Sequence, residues 1–459
     1  MAVTTGTSGW PALPVLPDPA MDAVLESGLL PELAHAFGGP FHFLLPDAFD
    51  RNLAAMRRAL RDADVDGFVY FAKKANKAAA FVERAAAAGA GVDVASAAEL
   101  REALGHGVRG EHLVVTGPAK DPALLRLAVQ HGALIAVDAL DELDTLISAV
   151  PRGPVRAARI LLRVLPPAQP HSRFGMTDAE LAVATARCVR AGDAIRMEGF
   201  SFHLSGYAIQ PRADLAAHLT ELCLKARVQG LEAGRISIGG GLPISYTDAD
   251  SWHTYLERHD KRHFHAGKSF QPSDFYPYHC RKPGAQALAA LLAARPEGRT
   301  QDLASLLKEA GTTLLLEPGR ALLDQAGASV FTVRGVKDRD GYRLVTVDGT
   351  SLSLSEQWFN SEYLPDPHLV PREPQAPAGL YPASVGAATC LESDMLTWRK
   401  VGFPRRPRTG DLLVYPNTAG YQMDSNESPF HDLAIPPKVV IDRAEDDDRP
   451  RWRLDRHFT

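Results

Sequence analysis

The chain has 459 residues, 45% of them hydrophobic and 23% charged, with a net charge of −5. That length is too great for one ordinary core and predicts two domains, and the composition is that of a soluble globular protein, not a fibrous or disordered one. The acidic balance and the lack of a basic stripe argue against a nucleic-acid binder; Arg405-Arg406-Pro407-Arg408 reads as a solvated turn. Cys188, Cys223, Cys280 and Cys390 have neither zinc nor disulfide spacing, so a reducing cytoplasm is expected. Residues 1–19 lack a basic start followed by an apolar core, and no apolar run reaches a membrane-spanning length. Neither a signal peptide nor a transmembrane helix is expected.

Residues 1–40 are Pro/Gly-punctuated and read as an N-terminal extension with a short amphipathic stretch. Strand and helix patterns then alternate. Phe41–Leu45 is a strand and Ala48–Leu60 a helix with apolar residues at helical spacing; Gly67–Phe71 is a strand and Lys77–Ala88 a helix. The alternation continues through Gly91–Val94, Ala97–Gly105, His112–Thr116, Pro122–His131, Leu134–Asp138 and Leu140–Val150, with further strands at Ile160–Val164, Gly199–His203, Arg235–Ile238 and Thr313–Leu316. About eight strand–helix units in succession predict a TIM-type (β/α)8 barrel, here residues 41–320. From residue 321 to 459 strands recur without long helices (Gly327–Val336, Arg343–Val347, Leu412–Tyr415, Lys438–Ile441), which predicts a C-terminal β domain that the Phe41 strand can join. Residues 251–286 interrupt the alternation with five histidines (253, 259, 263, 265 and 279) beside Cys280. Without ligand spacing the segment reads as a structured loop or lid, not a metal site, and it is expected to cover an active-site mouth and shape substrate choice.

Lys74, Asp93, Arg163, His203, Gly239 and Glu317 fall at the carboxyl ends of predicted strands, where a TIM barrel places its chemistry. A lysine at the end of a buried strand is costly; desolvation lowers its pKa, and a neutral amine is a nucleophile able to form a Schiff base. Lys73, one residue earlier, is expected on the opposite face. Gly239-Gly240-Gly241 after an apolar strand lets backbone N–H groups approach a phosphate closely.

Taken together, Lys74-Ala75-Asn76, Asp93-Val94-Ala95-Ser96 with Glu99, His203-Leu204-Ser205-Gly206, the triple glycine, Glu317-Pro318-Gly319-Arg320 and Ala419-Gly420-Tyr421 resemble the fold type III pyridoxal phosphate (PLP) decarboxylases, the ornithine, arginine and diaminopimelate decarboxylases. The resemblance spans roughly residues 40–440. It implies a PLP-binding α/β barrel shared with alanine racemase, a C-terminal β domain, and a homodimer with active sites shared between subunits.

The resemblance also implies roles for individual residues. Lys74 is the Schiff-base lysine. Glu317 pairs with the pyridine nitrogen and keeps it protonated, which strengthens the electron sink and favours decarboxylation over the chemistry of alanine racemases, which place an arginine there. Gly239, Gly240, Gly241, Arg320 and Tyr421 contact the phosphate. His203 stacks on the ring, with Asp93 positioned to orient it. Ser205 is one place out of the family's His-x-Gly-Ser order. Arg163 and Ser172-Arg173-Phe174-Gly175 match further barrel segments. Cys390, from the partner subunit, protonates the carbanion left by carbon dioxide, a task suited to a thiol, although a cysteine in this position also reads as an ordinary buried residue. Leu391 stands where many members carry an acidic substrate-reading residue, with Glu392 and Asp394 beside it. In the run Trp358–Asp366, Glu362 or Asp366 is placed to take a substrate's distal ammonium, or equally to be a solvated loop carboxylate.

The expected activity is PLP-dependent decarboxylation of an amino acid, either basic or from a specialised biosynthetic pathway. The alternatives are racemisation or epimerisation on the same cofactor and a non-catalytic regulatory relative. No metal, nucleic acid or membrane partner is expected.

Overall fold

In the computed structural model, residues 10–149, 157–271, 274–354, 362–424, 430–442 and 450–455 are described. The chain divides into two compact units, one of residues 50–243 and 282–322, the other of residues 1–49, 244–281 and 323–459.

After β1 (Phe41–Leu44), which belongs to the second unit, eight parallel strands close a barrel in chain order: β2 (Gly67–Ala72), β3 (Gly91–Val94), β4 (Leu113–Val115), β5 (Leu134–Val137), β6 (Ala158–Arg163), β7 (Ile195–Ser201), β8 (Arg235–Ser237) and β9 (Thr313–Leu316). Strands such as Leu134-Ile135-Ala136-Val137 are buried along their whole length because helices cover the outer face. The helices start where side chains can cap them: Ser96 Oγ accepts from Glu99 N, Asp121 precedes Pro122, and Thr177 and Glu180 form a reciprocal capping box. Tyr70, Val114, Leu134, Leu161 and Leu315 cluster with Phe68. Gly91 makes room for this cluster, since a Cβ there would lie 2.2 Å from the Tyr70 ring.

The β6–β7 pairing slips by one residue, with Ile160 opposite Met197 but Leu161 opposite Gly199. The extra residue is Glu198, which is buried and ion-paired to Arg159 at 2.6 Å and Arg235 at 3.1 Å. Gly199 itself has φ 152°, and a Cβ on it would sit 1.7 Å from the Arg235 carbonyl oxygen.

The second unit is a mixed sheet. Its strands are β1, β10 (Gly327–Arg339), β11 (Tyr342–Val347), β12 (His368–Val370), β13 (Tyr381–Gly386), β14 (Met395–Phe403), β15 (Leu412–Pro416), β16 (Lys438–Asp442) and β17 (Arg451–Leu454). They run in the order β14-β13-β11-β10-β1-β16-β17, and β15 pairs with both β10 and β12. Within residues 1–40, expected as an extension, residues 19–37 contribute to this unit's core. Helices Pro19–Glu26 and Leu29–Phe37 bury Met21, Val24, Leu30 and Leu33 in one cluster with Phe41, Phe43, Val330, Val414 and Val439.

The 251–286 segment also differs from expectation, since residues 244–281 build part of the sheet unit. Tyr278 Oη donates to the Glu362 carbonyl at 2.9 Å and accepts from Leu364 N at 3.2 Å, while Tyr246 packs edge-on against Tyr278 and Tyr363. Lys400 Nζ reaches the Arg262 carbonyl, and His265 Nδ1 bonds to Tyr342 Oη.

Below these contacts lies Arg399, 1% exposed. Its guanidinium donates to Pro11 O at 3.1 Å, to Leu364 O and to the Asp366 carboxylate, and its backbone N–H donates to Glu362 Oε1 at 2.8 Å. Arg399 therefore ties the N-terminal segment to β14 and to the loop before β12.

Two substitutions test these arrangements by thermal unfolding. Gly199→Ala is expected to cost about 2 kcal/mol or more, because a Cβ cannot coexist with the Arg235 carbonyl. Arg399→Met is expected to cost roughly 3–5 kcal/mol by leaving Asp366 without its buried partner. Unchanged melting temperatures would contradict both assignments.

Candidate active site at the carboxyl end of the barrel strands

In a closed parallel barrel every strand delivers its carboxyl end to the same mouth. Lys74 follows β2 in a short 3-10 turn, Lys73–Ala75, that rotates the two lysines apart. Lys73 is buried and paired with Glu102 at 2.8 Å. Lys74 is the open one, with its side chain 49% exposed, which corrects the expectation of a desolvated amine. Lys74 Nζ lies 2.9 Å from Asp93 Oδ2, and Thr116 Oγ1, just past β4, donates to the other carboxylate oxygen at 2.6 Å. Asp93 is thus bound to Lys74 and Thr116, not hydrogen-bonded to His203 as expected.

Glu317 follows β9. The Ala72 amide donates to Pro318 O at 3.1 Å, joining the Lys74 turn to the Glu317 loop, and the Glu317 amide donates to Gly239 O at 2.9 Å. Ser237 Oγ donates to Glu317 Oε1 at 2.6 Å. Burial, reinforced by the Asp93 carboxylate, pushes the Glu317 carboxyl up to about 7.

His203, past β7, is pulled down to about 4 by desolvation of its ring and by the nearby cations Lys74, Arg212 and Arg163, so its imidazole is neutral at neutral pH.

The three glycines are required by their neighbours. A Cβ on Gly239 (φ 65°) would lie 2.5 Å from His203 Nδ1, on Gly240 2.7 Å from the Glu317 carbonyl oxygen, and on Gly241 (φ 77°) 2.4 Å from Arg212 Nη2. Among the described residues, the amides of Gly240 and Gly241 have no acceptor. Arg320 is buried directly after the same loop as Glu317.

On the far side of the mouth, Arg163 Nη1 bonds to Asp138 at 3.1 Å, and its guanidinium sits 4.4 Å from the Phe174 ring centroid. Asp138 also accepts from the Gly175 amide at 3.2 Å, and burial raises its carboxyl.

These groups fit PLP. Lys74 would offer an amine, Glu317 a carboxyl for a ring nitrogen, His203 a flat face, and the Gly240 and Gly241 amides with Arg320 donors to a phosphate. Ser205 is exposed at the rim, two residues from His203.

Five supporting residues escaped the sequence reading. Thr116 was visible in principle, because it directly follows β4, the strand paired with the Asp93 strand. Ser237 lay inside a short apolar strand. Lys120 and Glu142 pair behind Asp138 at 3.0 Å. Arg212, on helix Ile209–Val228, is buried and donates to Leu204 O and Gly206 O, tying down the His203 loop, and no local pattern marks it.

The remaining expected site residues lie in the sheet unit. Tyr421 has φ 78°. Cys390 is exposed on the turn after β13, with the exposed Glu392 and Leu391 beside it. Three expected substrate-reading carboxylates are committed internally: Asp366 to Arg399 and Leu13 N, Glu362 to the Arg399 amide, and Asp394 to Ser351 N at 2.8 Å and Thr389 Oγ1 at 2.6 Å. Trp358 to Ser361 lie outside the described residues. All four cysteines are free, no cluster among the described residues could hold a metal ion, and no described helix is long and apolar enough to cross a membrane.

The sequence model of the pyridoxal binding domain of pyridoxal-dependent decarboxylases matches residues 47–271. The chain is 40% identical to uncharacterized protein y4yA of Sinorhizobium fredii over 94% of each sequence. It is 26% identical to a diaminopimelate decarboxylase of Halalkalibacterium halodurans over 90% of this chain and 89% of the relative. In fold it resembles diaminopimelate decarboxylase from Helicobacter pylori in complex with L-lysine, with a TM-score of 0.69 at 16% identity, covering 91% and 93% of the two chains. It also resembles the lysine/ornithine decarboxylase of Vibrio vulnificus in complex with cadaverine, with a TM-score of 0.67 at 20% identity, covering 90% and 98%. The sequence relatives agree with what the barrel mouth is built to hold: the chain belongs to the fold type III pyridoxal-dependent decarboxylases, with pyridoxal phosphate as its cofactor.

Proposed function

We propose that this enzyme removes the α-carboxylate of an amino acid with Lys74 as the amine that anchors the cofactor. The observation that carries this reading is the placement of Lys74, Asp93 and Glu317 at one barrel mouth, with Lys74 Nζ 2.9 Å from Asp93. When bound, PLP accepts the electron pair left behind as carbon dioxide departs. The protein's part is positional and electrostatic. Asp93 holds Lys74 in place and is the nearby acceptor for its ammonium proton. Glu317 gives a protonated ring nitrogen its counter-charge, and Ser237 fixes the carboxylate's direction. His203, neutral and flat, limits movement of the ring without adding charge, and Arg212 holds the loop that carries it. The Gly240 and Gly241 amides, Arg320 and Tyr421 are assigned to the phosphate, and Cys390, from a second copy of the chain in a homodimer, to the proton that replaces the lost carboxylate.

The relatives' names point to diaminopimelate, lysine and ornithine. The internal bonds of Glu362, Asp366 and Asp394 argue against a role for these three in reading a distal ammonium, which leaves Glu392 as the exposed carboxylate beside Cys390. Glu392→Gln is expected to raise KM for a basic substrate about tenfold with little change in stability. Glu362→Gln is expected to change stability and leave KM alone. A reversed pattern would return substrate reading to Glu362.

The activity is tested by mass spectrometry of PLP-loaded enzyme incubated with pooled L- and D-amino acids, diaminopimelate included, in deuterated water, with Lys74→Ala as control. A product lacking carbon dioxide and dependent on Lys74 is expected. Deuterium at the α-carbon with the carboxylate retained would identify an epimerase and overturn the reading.

The Glu317 environment gives a pH prediction for the cofactor-free protein. Its carboxyl is raised from 4.5 to about 7, so the protonated form is favoured by folding. The stability it contributes is complete below about pH 4.5 and is lost as pH rises through 7. Relative to wild type, Glu317→Gln should therefore be unchanged at pH 4.5 and more stable at pH 8, by up to roughly 3 kcal/mol. A pH-independent difference in melting temperature would contradict the assigned environment.

A further inference from the structure

Cys390 and His431 are 41 residues apart in the chain, yet Cys390 Sγ and His431 Nε2 lie 3.3 Å apart, within hydrogen-bonding reach of sulfur. Both sides of the contact are held. On the cysteine side, Thr389 Oγ1 donates to Asp394 Oδ2 at 2.6 Å and accepts from the Leu391 amide at 3.3 Å. The Asp394 amide donates to Leu391 O at 3.0 Å, and the Ala388 amide to Gly349 O at 2.9 Å. This bracing turns the thiol outward.

On the histidine side, His431 and Asp432 have φ 58° and 55°, both in the left-handed region that residues with side chains seldom occupy. Consecutive residues of this kind persist where their surroundings impose them. Here the conformation brings an imidazole to the one exposed cysteine, since Cys188 and Cys223 are buried and Cys280 is half-buried.

We propose that His431 returns the proton that Cys390 spends in each turnover. The inference rests on the reading of Cys390 as the acid. The Sγ–H bond breaks, a C–H bond forms at the substrate carbon that has lost carbon dioxide, and a thiolate remains. His431 Nε2–H then gives its proton to Sγ, and the neutral imidazole takes a proton from solvent. The net result is one solvent proton transferred to the product, with Cys390 and His431 restored. A thiol without such a partner has to be reprotonated from water after every cycle. Among the described residues, the charged and titratable groups near the pair include Glu392 and Asp394 on the cysteine turn, Asp432 next to His431, and His265, whose pKa burial lowers and the Glu392 charge raises. Asp394 is spent on Ser351 N and Thr389 Oγ1.

The test uses the full-length, PLP-loaded enzyme and His431→Asn, since asparagine tolerates the left-handed backbone but does not titrate. His431→Gln serves as a second variant. The first readout is the rate of Cys390 alkylation by iodoacetamide from pH 5.5 to 9, followed by mass spectrometry of the Cys390 peptide. The expected result is that the pH profile of Cys390 alkylation differs at least tenfold in rate somewhere in this range between wild type and variant, because the imidazole exchanges a proton with the thiol. The second readout is turnover. The variant is expected to lose about tenfold in kcat with KM held, and added imidazole is expected to restore part of the rate to His431→Ala. Superimposable alkylation profiles would overturn the pairing. A shifted profile with unchanged kcat would overturn the proton return. If Cys390→Ala retains full decarboxylation, it is the reading of Cys390 as the acid that fails, and the two failures are thereby distinguished.

Discussion

Closure of the parallel barrel is the constraint on which the rest depends. Lys74 and Glu317 are far apart in the chain, and only a ring of parallel strands, with β9 hydrogen-bonded back to β2, brings their carboxyl ends together. The closure has local requirements. Gly199 lets β7 lie against the Arg235 carbonyl, and the bulge beside it turns Glu198 toward Arg159 and Arg235. Small residues at the other end, Gly239 to Gly241, let three loops approach one another more closely than side chains would allow.

Charge at the barrel mouth follows from that crowding. Two carboxylates, Asp93 and Glu317, share a confined space with Lys74, Arg163 and Arg212. Asp93 is held by Lys74 and Thr116, whereas Glu317, bonded to the Ser237 hydroxyl, is buried beside the Asp93 carboxylate, and its affinity for a proton rises accordingly. In the proposed function, this carboxyl would supply the counter-charge for a protonated ring nitrogen. His203 has the opposite requirement. Burial and the cations Lys74, Arg212 and Arg163 hold its pKa down, and in the proposed function a neutral imidazole would present a face to the ring without repelling a charged one.

The sheet unit solves a different problem. Its core draws on three separated stretches of chain, and Arg399 joins the first to the third through hydrogen bonds to Pro11, Leu364, Asp366 and Glu362. Carboxylates that look available in the sequence are consumed in this junction. With Asp366, Glu362 and Asp394 bonded internally, the turn after β13 carries the exposed Cys390, Leu391 and Glu392.

By itself the sequence determined the barrel, because each of its strands is a short apolar run followed by a helical period, a signal carried within ten or twenty residues. It also determined Lys74, His203, Gly239 to Gly241 and Glu317 as candidates, because strand ends can be located from the same local pattern. Tertiary structure alone decided what depends on partners distant in the chain. The helices before β1 became core because the sheet offered them an apolar face, and residues 244–281 became part of the sheet unit because Tyr278 and Tyr246 found partners more than eighty residues away. The strands β13 and β14 were hidden by Pro382 and by Arg399 and Lys400. Thr116, Ser237 and Arg212 acquired roles, Asp93 was bound to Lys74, Glu362 and Asp366 were withdrawn to Arg399, and His431 was set beside Cys390. Each of these outcomes is a pairing of polar groups, and a pairing across long loops leaves no periodicity in the chain from which it could be read.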